Sequence, residues 1–261
     1  MEEPLVGAMS GGLAGRLERL LPSGRGVWIP MDHGISSYPE SGLDDMDAVI
    51  DAIIAGGADA IVAQKGVVSH QSDRTGWGSF VAHVSVSTAH AGPEMLTKVK
   101  VASAAECQSR GAMAVSGQIN LGAATEPEMI IDMGTLTEEA HALGMPVLGM
   151  VYPRGPNLVE IPDDITGGVA HAARVGYELG CHVVKVPWTG CVDSFAEVCR
   201  AVPIPVLIAG GPKGGDFSDT LEMVRSAIQA GGAGVCMGRQ IFGSEDPQAS
   251  VEALRTVVHG G

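Results

Sequence analysis

The chain has 261 residues, 45% hydrophobic and 18% charged, enough to bury the core of one large α/β domain. With 30 acidic against 16 basic residues the formal charge is -14, the wrong sign for a nucleic-acid or anionic-membrane partner, so any bound phosphate must be held locally. No apolar run approaches the roughly 20 residues that span a bilayer, and Met1 to Gly12 lacks the basic start of a signal peptide, so a cytoplasmic protein is expected.

In chain order, residues 1–24 read as an extension or a helix ahead of the first strand. Short apolar runs follow at Val27 to Met31, Asp59 to Ala63, Phe80 to Val86, Ala114 to Ile119, Pro146 to Val151, Val183 to Val186, Val206 to Ala209 and Gly234 to Met237. Helical spacing lies between them at Leu43 to Ala55, Pro127 to Leu143, Ile165 to Leu179, Val192 to Ala201 and Asp216 to Ala230, and after the last at Pro247 to Val258. The connections after the third and fourth runs are the least clear. Gly57-Ala58, Gly111-Ala112, Gly180-Cys181 and Gly232-Ala233 fit helix C-caps that turn the chain back into a parallel strand.

Eight such units in about 250 residues predict a single-domain TIM (β/α)8 barrel over 1–261, with residues 1–24 covering its bottom. A doubly wound open sheet is the runner-up. It would want a glycine-rich turn after its first strand, where this chain has Met31-Asp32-His33-Gly34.

In a barrel the polar residues should gather at the C-terminal strand ends. Asp32-His33, Gln64-Lys65, Ser85 with Ser87, Gln118 with Asn120, Tyr152-Pro153-Arg154, Lys185, Gly210-Gly211-Pro212-Lys213 and Gly238-Arg239 occupy those ends in turn. Lys185 stands out because it sits inside an apolar strand, where a bare ammonium costs several kcal/mol to bury. Either a carboxylate meets it in a structural ion pair, or desolvation lowers its pKa until the neutral amine attacks a carbonyl. Asp32 and Tyr152 would then serve as acid/base groups, unless Asp32 only caps a turn and Tyr152 is only a core-edge phenol. Of the five lysines, Lys98 and Lys100 read as solvated, and Lys65 and Lys213 as loop residues beside glycine. The glycine-and-base pairs at Gly210-Gly211-Lys213 and Gly238-Arg239 match the place where barrels often hold phosphate.

Five cysteines without CxxC spacing read as packed thiols rather than a disulfide framework or zinc site, and the histidines lack HxH or HExxH spacing. Neither a metal nor a cofactor is expected.

Met31-Asp32-His33-Gly34, Tyr152-Pro153-Arg154-Gly155, Val184-Lys185 with Thr189-Gly190, Ala209-Gly210-Gly211-Pro212-Lys213 and Gly238-Arg239-Gln240-Ile241-Phe242 resemble the archaeal-type (DeoC/FbaB-like) class I fructose-bisphosphate aldolase family. That family also contains the 2-amino-3,7-dideoxy-D-threo-hept-6-ulosonate synthases. Val192-Asp193-Ser194-Phe195 and His83-Val84-Ser85-Val86-Ser87-Thr88 are similar to the synthase branch. The resemblance implies a TIM barrel, often assembled as a homo-decamer. It implies Lys185 as the Schiff-base lysine, Tyr152 and Asp32 as general acid/base residues, and His33, Arg154, Gly210, Gly211, Lys213, Gly238 and Arg239 around a phosphorylated sugar. Gln64, Gln118 and Trp188 stand where the resemblance leads one to expect two histidines and a tyrosine, and they are the expected acceptor pocket.

The expected activity is joining a ketose phosphate such as dihydroxyacetone phosphate to L-aspartate semialdehyde in aromatic-precursor biosynthesis. The alternatives are a fructose-bisphosphate aldolase, a metal-free sugar-phosphate isomerase or epimerase, and a non-catalytic phosphosugar-binding barrel.

Overall fold

The computed structural model describes residues 12–158, 165–210 and 216–260. Helix α1 (Leu13–Leu20) leads through a short 3-10 turn into β1 (Gly26–Pro30), followed by α2 (His33–Ser36), α3 (Met46–Ala55), β2 (Ala60–Gln64), α4 (Lys65–Thr75) and β3 (Phe80–His83). An excursion then leaves the barrel. It pairs β4 (Ser85–Val86) with β5 (Val99–Lys100) antiparallel, with a 3-10 segment, Ala89–Leu96, between them. The chain returns through α5 (Ala104–Ser109) to β6 (Ala114–Leu121), α6 (Glu126–Ala142), β7 (Val147–Pro153), α7 (Ile165–Glu178), β8 (Val183–Val186) and α8 (Val192–Arg200). It ends with β9 (Val206–Ala209), α9 (Phe217–Gln229), β10 (Gly234–Cys236), α10 (Arg239–Phe242) and α11 (Pro247–His259).

Eight strands close into a parallel barrel in the order β1-β10-β9-β8-β7-β6-β3-β2. All eight expected runs contribute a barrel strand. The third divides, because the chain turns out of the ring after His83 and only Phe80–His83 pairs with β2 and β6.

Strand side chains alternate between the lumen and the helix layer. Val27, Ile29, Val184 and Val186 pack outward in the larger apolar cluster. Trp28, Val62, Val81, Leu148, Val183 and Leu207 fill the lumen in a second cluster. Both sides of each strand are therefore buried, which is why the runs read as continuously apolar.

The ring is sealed between β1 and β10, where Gly26 faces Gly234. Gly234 holds φ +132, and a Cβ there would sit 2.0 Å from the Gly26 carbonyl oxygen, so a side chain would prise this seam apart.

Helix starts are fixed by side-chain caps: Asp45 accepts from Ala48 N, Ser103 from Glu106 N, Asp216 from Ser218 N and Asp246 from Ala249 N. The first helix expected from the sequence thus begins at Met46, since Asp45 is its cap. Helical spacing predicts neither α4 nor α5. The first is too polar to carry a clear apolar stripe, and the second has only six residues.

Helix α1 closes the end opposite the mouth. Arg16 Nη1 donates to Met113 O at 2.8 Å, just ahead of β6, and Trp28 Nε1 donates to Leu20 O at 2.7 Å. Among the described residues no helix is long and apolar enough to cross a membrane.

Candidate active site

The inward parity of β8 that puts Val183 in the lumen also turns Lys185 inward, one layer nearer the mouth. The same alternation carries Leu148, Met150 and Tyr152 along β7. Lys185, Met150 and Tyr152 open into a cavity of about 400 Å³ at the C-terminal strand ends, large enough for a small phosphorylated sugar.

Lys185 is 8% exposed, with Nζ 4.0 Å from Met150 Sδ. The Tyr152 hydroxyl and the Cys236 thiol lie against its amine. It forms no ion pair with a carboxylate among the described residues. The expectation of a lowered pKa is corrected. Burial favours the neutral amine, but Cys236, Tyr152 and Asp32 outweigh it and raise the pKa overall. Burial holds the Cys236 thiol up at about 11 and the phenol above its ordinary value, so at neutral pH the negative charge facing the amine comes from Asp32.

Asp32 precedes α2, yet its side chain makes no capping bond. Its Oδ1 lies 3.8 Å from His33 Nδ1 and its Oδ2 3.8 Å from His83 Nε2. Burial pushes this carboxyl up, but the charges of His83, His33 and Lys185 outweigh it, and the net shift is downward. A carboxylate, a phenol and an amine thus meet from three strands of a rigid ring, a set able to move protons around a carbonyl centre.

Of the other expected residues, His33, Arg154, Gly210, Gly238, Arg239 and Gln118 line the same cavity. A Cβ on Gly238 would lie 2.0 Å from Pro30 O, so only glycine lets the end of β10 approach β1 this closely. Gly211 and Lys213 fall outside the described residues.

Gln64 and Trp188 do not line the cavity. Gln64 ends β2 with its Nε2 buried and without a hydrogen-bond partner. Trp188 packs on Phe195, ring centroids 5.1 Å apart, in the layer between strands and helices.

Three residues outside the expected set belong beside the site. His83, 2% exposed, faces Asp32, and its Nδ1 lies 2.8 Å from Ser116 Oγ. Its place at the end of the third strand was the available signal. Cys236 lines the cavity from the inward face of β10. Lys98 also lines it and is half-buried. The solvated reading of Lys98 and Lys100 is thus corrected, because Lys100 is held 2.7 Å from Glu139. Lys65 opens α4 and pairs with Glu106 at 3.0 Å rather than lying in a loop. Cys191 is exposed, unlike the packed Cys107, Cys181 and Cys236. Among the described residues no group of three or more His, Cys, Asp or Glu is placed to hold a metal.

A closed parallel barrel whose C-terminal mouth gathers an inward lysine, a carboxylate and a phenol defines a TIM-barrel enzyme. The model of the DeoC/LacD family aldolases matches residues 27–244, and the chain belongs to that family, as an aldolase of the Schiff-base, class I type.

Among curated relatives, the 2-amino-3,7-dideoxy-D-threo-hept-6-ulosonate synthase 1 of Archaeoglobus fulgidus is 40% identical over 246 residues, covering 94% of this chain and 90% of its own. The synthase of Halobacterium salinarum is 37% identical, covering 95% and 92%. A 2-amino-4,5-dihydroxy-6-oxo-7-(phosphonooxy)heptanoate synthase of Streptomyces griseus is also 37% identical, covering 88% and 84%. Among solved structures, an archaeal fructose 1,6-bisphosphate aldolase superposes with TM-score 0.85 at 27% identity, covering 95% of this chain and 100% of that one. Another, with its catalytic lysine bound to the carbinolamine intermediate of the substrate, gives TM-score 0.84 at 26% identity, covering 95% and 100%.

Proposed function

We propose that Lys185 forms a Schiff base with the ketone of a phosphorylated donor such as dihydroxyacetone phosphate, and that the resulting enamine adds to L-aspartate semialdehyde to build an aromatic precursor. The observation that carries this reading is the inward Lys185 amine between Tyr152 and Asp32, with no ion pair to a carboxylate among the described residues to occupy it.

Asp32, an anion at neutral pH, favours the ammonium in the resting site, so the amine must give up a proton before it attacks. The Asp32 carboxylate facing the amine is the base that takes that proton, directly or through the Tyr152 hydroxyl, which passes its own proton on as it receives the ammonium's. Attack forms a carbinolamine, and a proton delivered to its hydroxyl lets water leave and the iminium form. The iminium draws electrons from the adjacent carbon when a base removes that carbon's proton: the Asp32 carboxylate, or Tyr152 as the phenolate left once it has protonated the carbinolamine hydroxyl. The enamine then adds to the acceptor aldehyde, the new alkoxide is protonated, and water hydrolyses the iminium to release product. Each proton transfer assigned to a positioned side chain is worth about 10²- to 10⁴-fold in rate. Backbone around Gly210-Gly211 and Gly238, with Arg239 and Lys213, holds the donor phosphate and so orients the reacting carbon. A homo-oligomer in the cytoplasm belongs to the same reading, and sedimentation measures the assembly.

The likeness in shape to the archaeal fructose 1,6-bisphosphate aldolases supports a second reading, with glyceraldehyde 3-phosphate as acceptor. The identities of 37–40% to the synthases favour the first.

Incubation with dihydroxyacetone phosphate and borohydride, followed by peptide mapping, should place the added mass on Lys185, and Lys185→Ala should lose it. Absence of an adduct with several ketose phosphates sinks the Schiff-base assignment. Competition between the two acceptors decides between the readings.

A further inference from the structure

A further cavity, of about 430 Å³, lies at the end of the ring opposite the mouth. Arg25, just ahead of β1, and Asp59, just ahead of β2, line it from the strand starts. Pro22 and Ser23 line it from the turn after α1, and Arg255 and His259 from the last turns of α11. None of the six lines the mouth.

Two guanidiniums meet one carboxylate in this cavity, and that carboxylate is already committed. Asp59, with its side chain 6% exposed, accepts from Val27 N at 2.7 Å and lies 2.8 Å from His259 Nε2, both through Oδ2. Its Oδ1 is 3.8 Å from Arg255 Nη1. Arg25 forms no ion pair among the described residues and is held by a carbonyl instead, with Nη1 donating to Val258 O at 3.0 Å. Arg255 Nη1 donates in the same way to Gly57 O at 2.8 Å. Glu18 accepts from Ser23 N at 3.2 Å but does not line the cavity. Elsewhere the arginines meet carboxylates closely: Arg74 reaches Asp51 at 3.0 Å, Arg110 reaches Glu106 at 3.0 Å and Arg225 reaches Glu222 at 2.7 Å.

The carbonyl bonds offset the negative ends of α11 and α3 and hold each guanidinium in place. Each uses one of five N–H donors, so both side chains keep donors for a ligand. At -14 the chain as a whole repels anions, and an anion bound here answers to this local excess of positive charge. Two guanidiniums from separate segments match the several oxygens and double charge of a phosphomonoester better than the single plane of a carboxylate. The volume leaves room for the organic part of the ligand.

We propose that this cavity is a binding site for the phosphate group of a small phosphorylated metabolite, held between Arg25 and Arg255 and separate from the Lys185 chemistry. The bound phosphate would bridge the turn before β1 to the end of α11, beside the start of β2. Those segments are far apart in sequence, so occupancy stabilises the closed ring by linkage. The site stands independently of the Schiff-base reading.

The test measures thermal midpoints of wild-type protein, Arg25→Gln, Arg255→Gln and the double variant with glycerol 3-phosphate, inorganic phosphate, succinate or chloride, at one ionic strength. Glycerol 3-phosphate should raise the wild-type midpoint above the chloride control. The mouth is the same in all four proteins, so the part of the rise lost in the double variant belongs to this cavity. Titration calorimetry should show one binding event weakened about 10- to 100-fold in each single variant, the range for losing a hydrogen bond to a charged group. Arg25→Lys and Arg255→Lys, which keep the charge, should keep part of the rise.

A rise retained in full by the double variant overturns the proposal and leaves the two arginines as caps of helix-end carbonyls. A wild-type rise no larger than that with chloride also overturns it, as general screening of charge. A loss seen with succinate but not with glycerol 3-phosphate overturns the phosphate assignment. A loss seen with inorganic phosphate as well as glycerol 3-phosphate supports recognition through the phosphate group itself.

Discussion

His83 and Asp32 face each other across the barrel mouth, with the imidazole Nε2 3.8 Å from the carboxylate Oδ2 and Nδ1 anchored 2.8 Å from Ser116 Oγ. After burial, which acts upward, His83 is the largest influence on the Asp32 carboxyl, and it acts downward. Replacing it by His83→Asn should therefore raise the Asp32 pKa. The acid limb of the kcat/KM profile should move to higher pH, which a pH–rate series on the variant measures. An unmoved limb would mean that another group sets it.

Acid should weaken the fold before it titrates the carboxylates. Burial lowers the pKa values of His33, His83 and His182 in the folded protein. Between the ordinary histidine value near ~6.5 and these lower ones the unfolded chain binds more protons, so stability rises with pH there and is lost on acidification. Asp32, depressed in the fold, adds stability above its ordinary value near ~3.9 that disappears as pH falls through its folded value. Thermal midpoints should fall from pH 7 to pH 5, and less steeply in His83→Asn.

Gly238→Ala tests the closeness of β10 to β1. The new Cβ would stand 2.0 Å from Pro30 O and 2.8 Å from a Phe242 ring carbon, so the backbone must shift. A loss of about 1–3 kcal/mol in stability is expected. The KM for the phosphorylated donor should rise about tenfold or more, because the end proposed to hold the donor phosphate moves with the backbone. Chemical denaturation and steady-state kinetics check the two effects.

The cysteines should react unequally. Cys191 is exposed, and Ser194 lowers its pKa, whereas burial pushes Cys181 up to about 12 and Cys107 to about 11. A thiol reagent at neutral pH should label Cys191 first, with Cys107, Cys181 and Cys236 labelled only on unfolding, and peptide mapping resolves the order. Fast labelling of Cys236 would mean that the mouth opens wider than its geometry implies.

The barrel was legible because each strand is buried on both sides and so writes an unbroken apolar run. Lys185 stood out against that background for the same reason. Lys98 did not, because its surroundings come from an excursion whose two-residue strands leave no periodic trace. Trp188 departs in the opposite direction: the family resemblance sets it in the acceptor pocket, whereas its ring turns sideways onto Phe195. Strand ends give the end of the barrel a residue occupies, not the direction its side chain takes once the strand's alternation stops.

The seam between Gly26 and Gly234 joins the first and last strands of the ring. Asp32 lies just past one of them, and Gly238 and Arg239 just past the other. As the chain emerges from the ribosome, the carboxylate side of the mouth must wait for nearly all the remaining elements before its adjoining wall exists. The catalytic mouth is therefore a late product of folding, and a truncated chain lacking β10 would carry the lysine and the phenol but no enclosed chamber for them to work in.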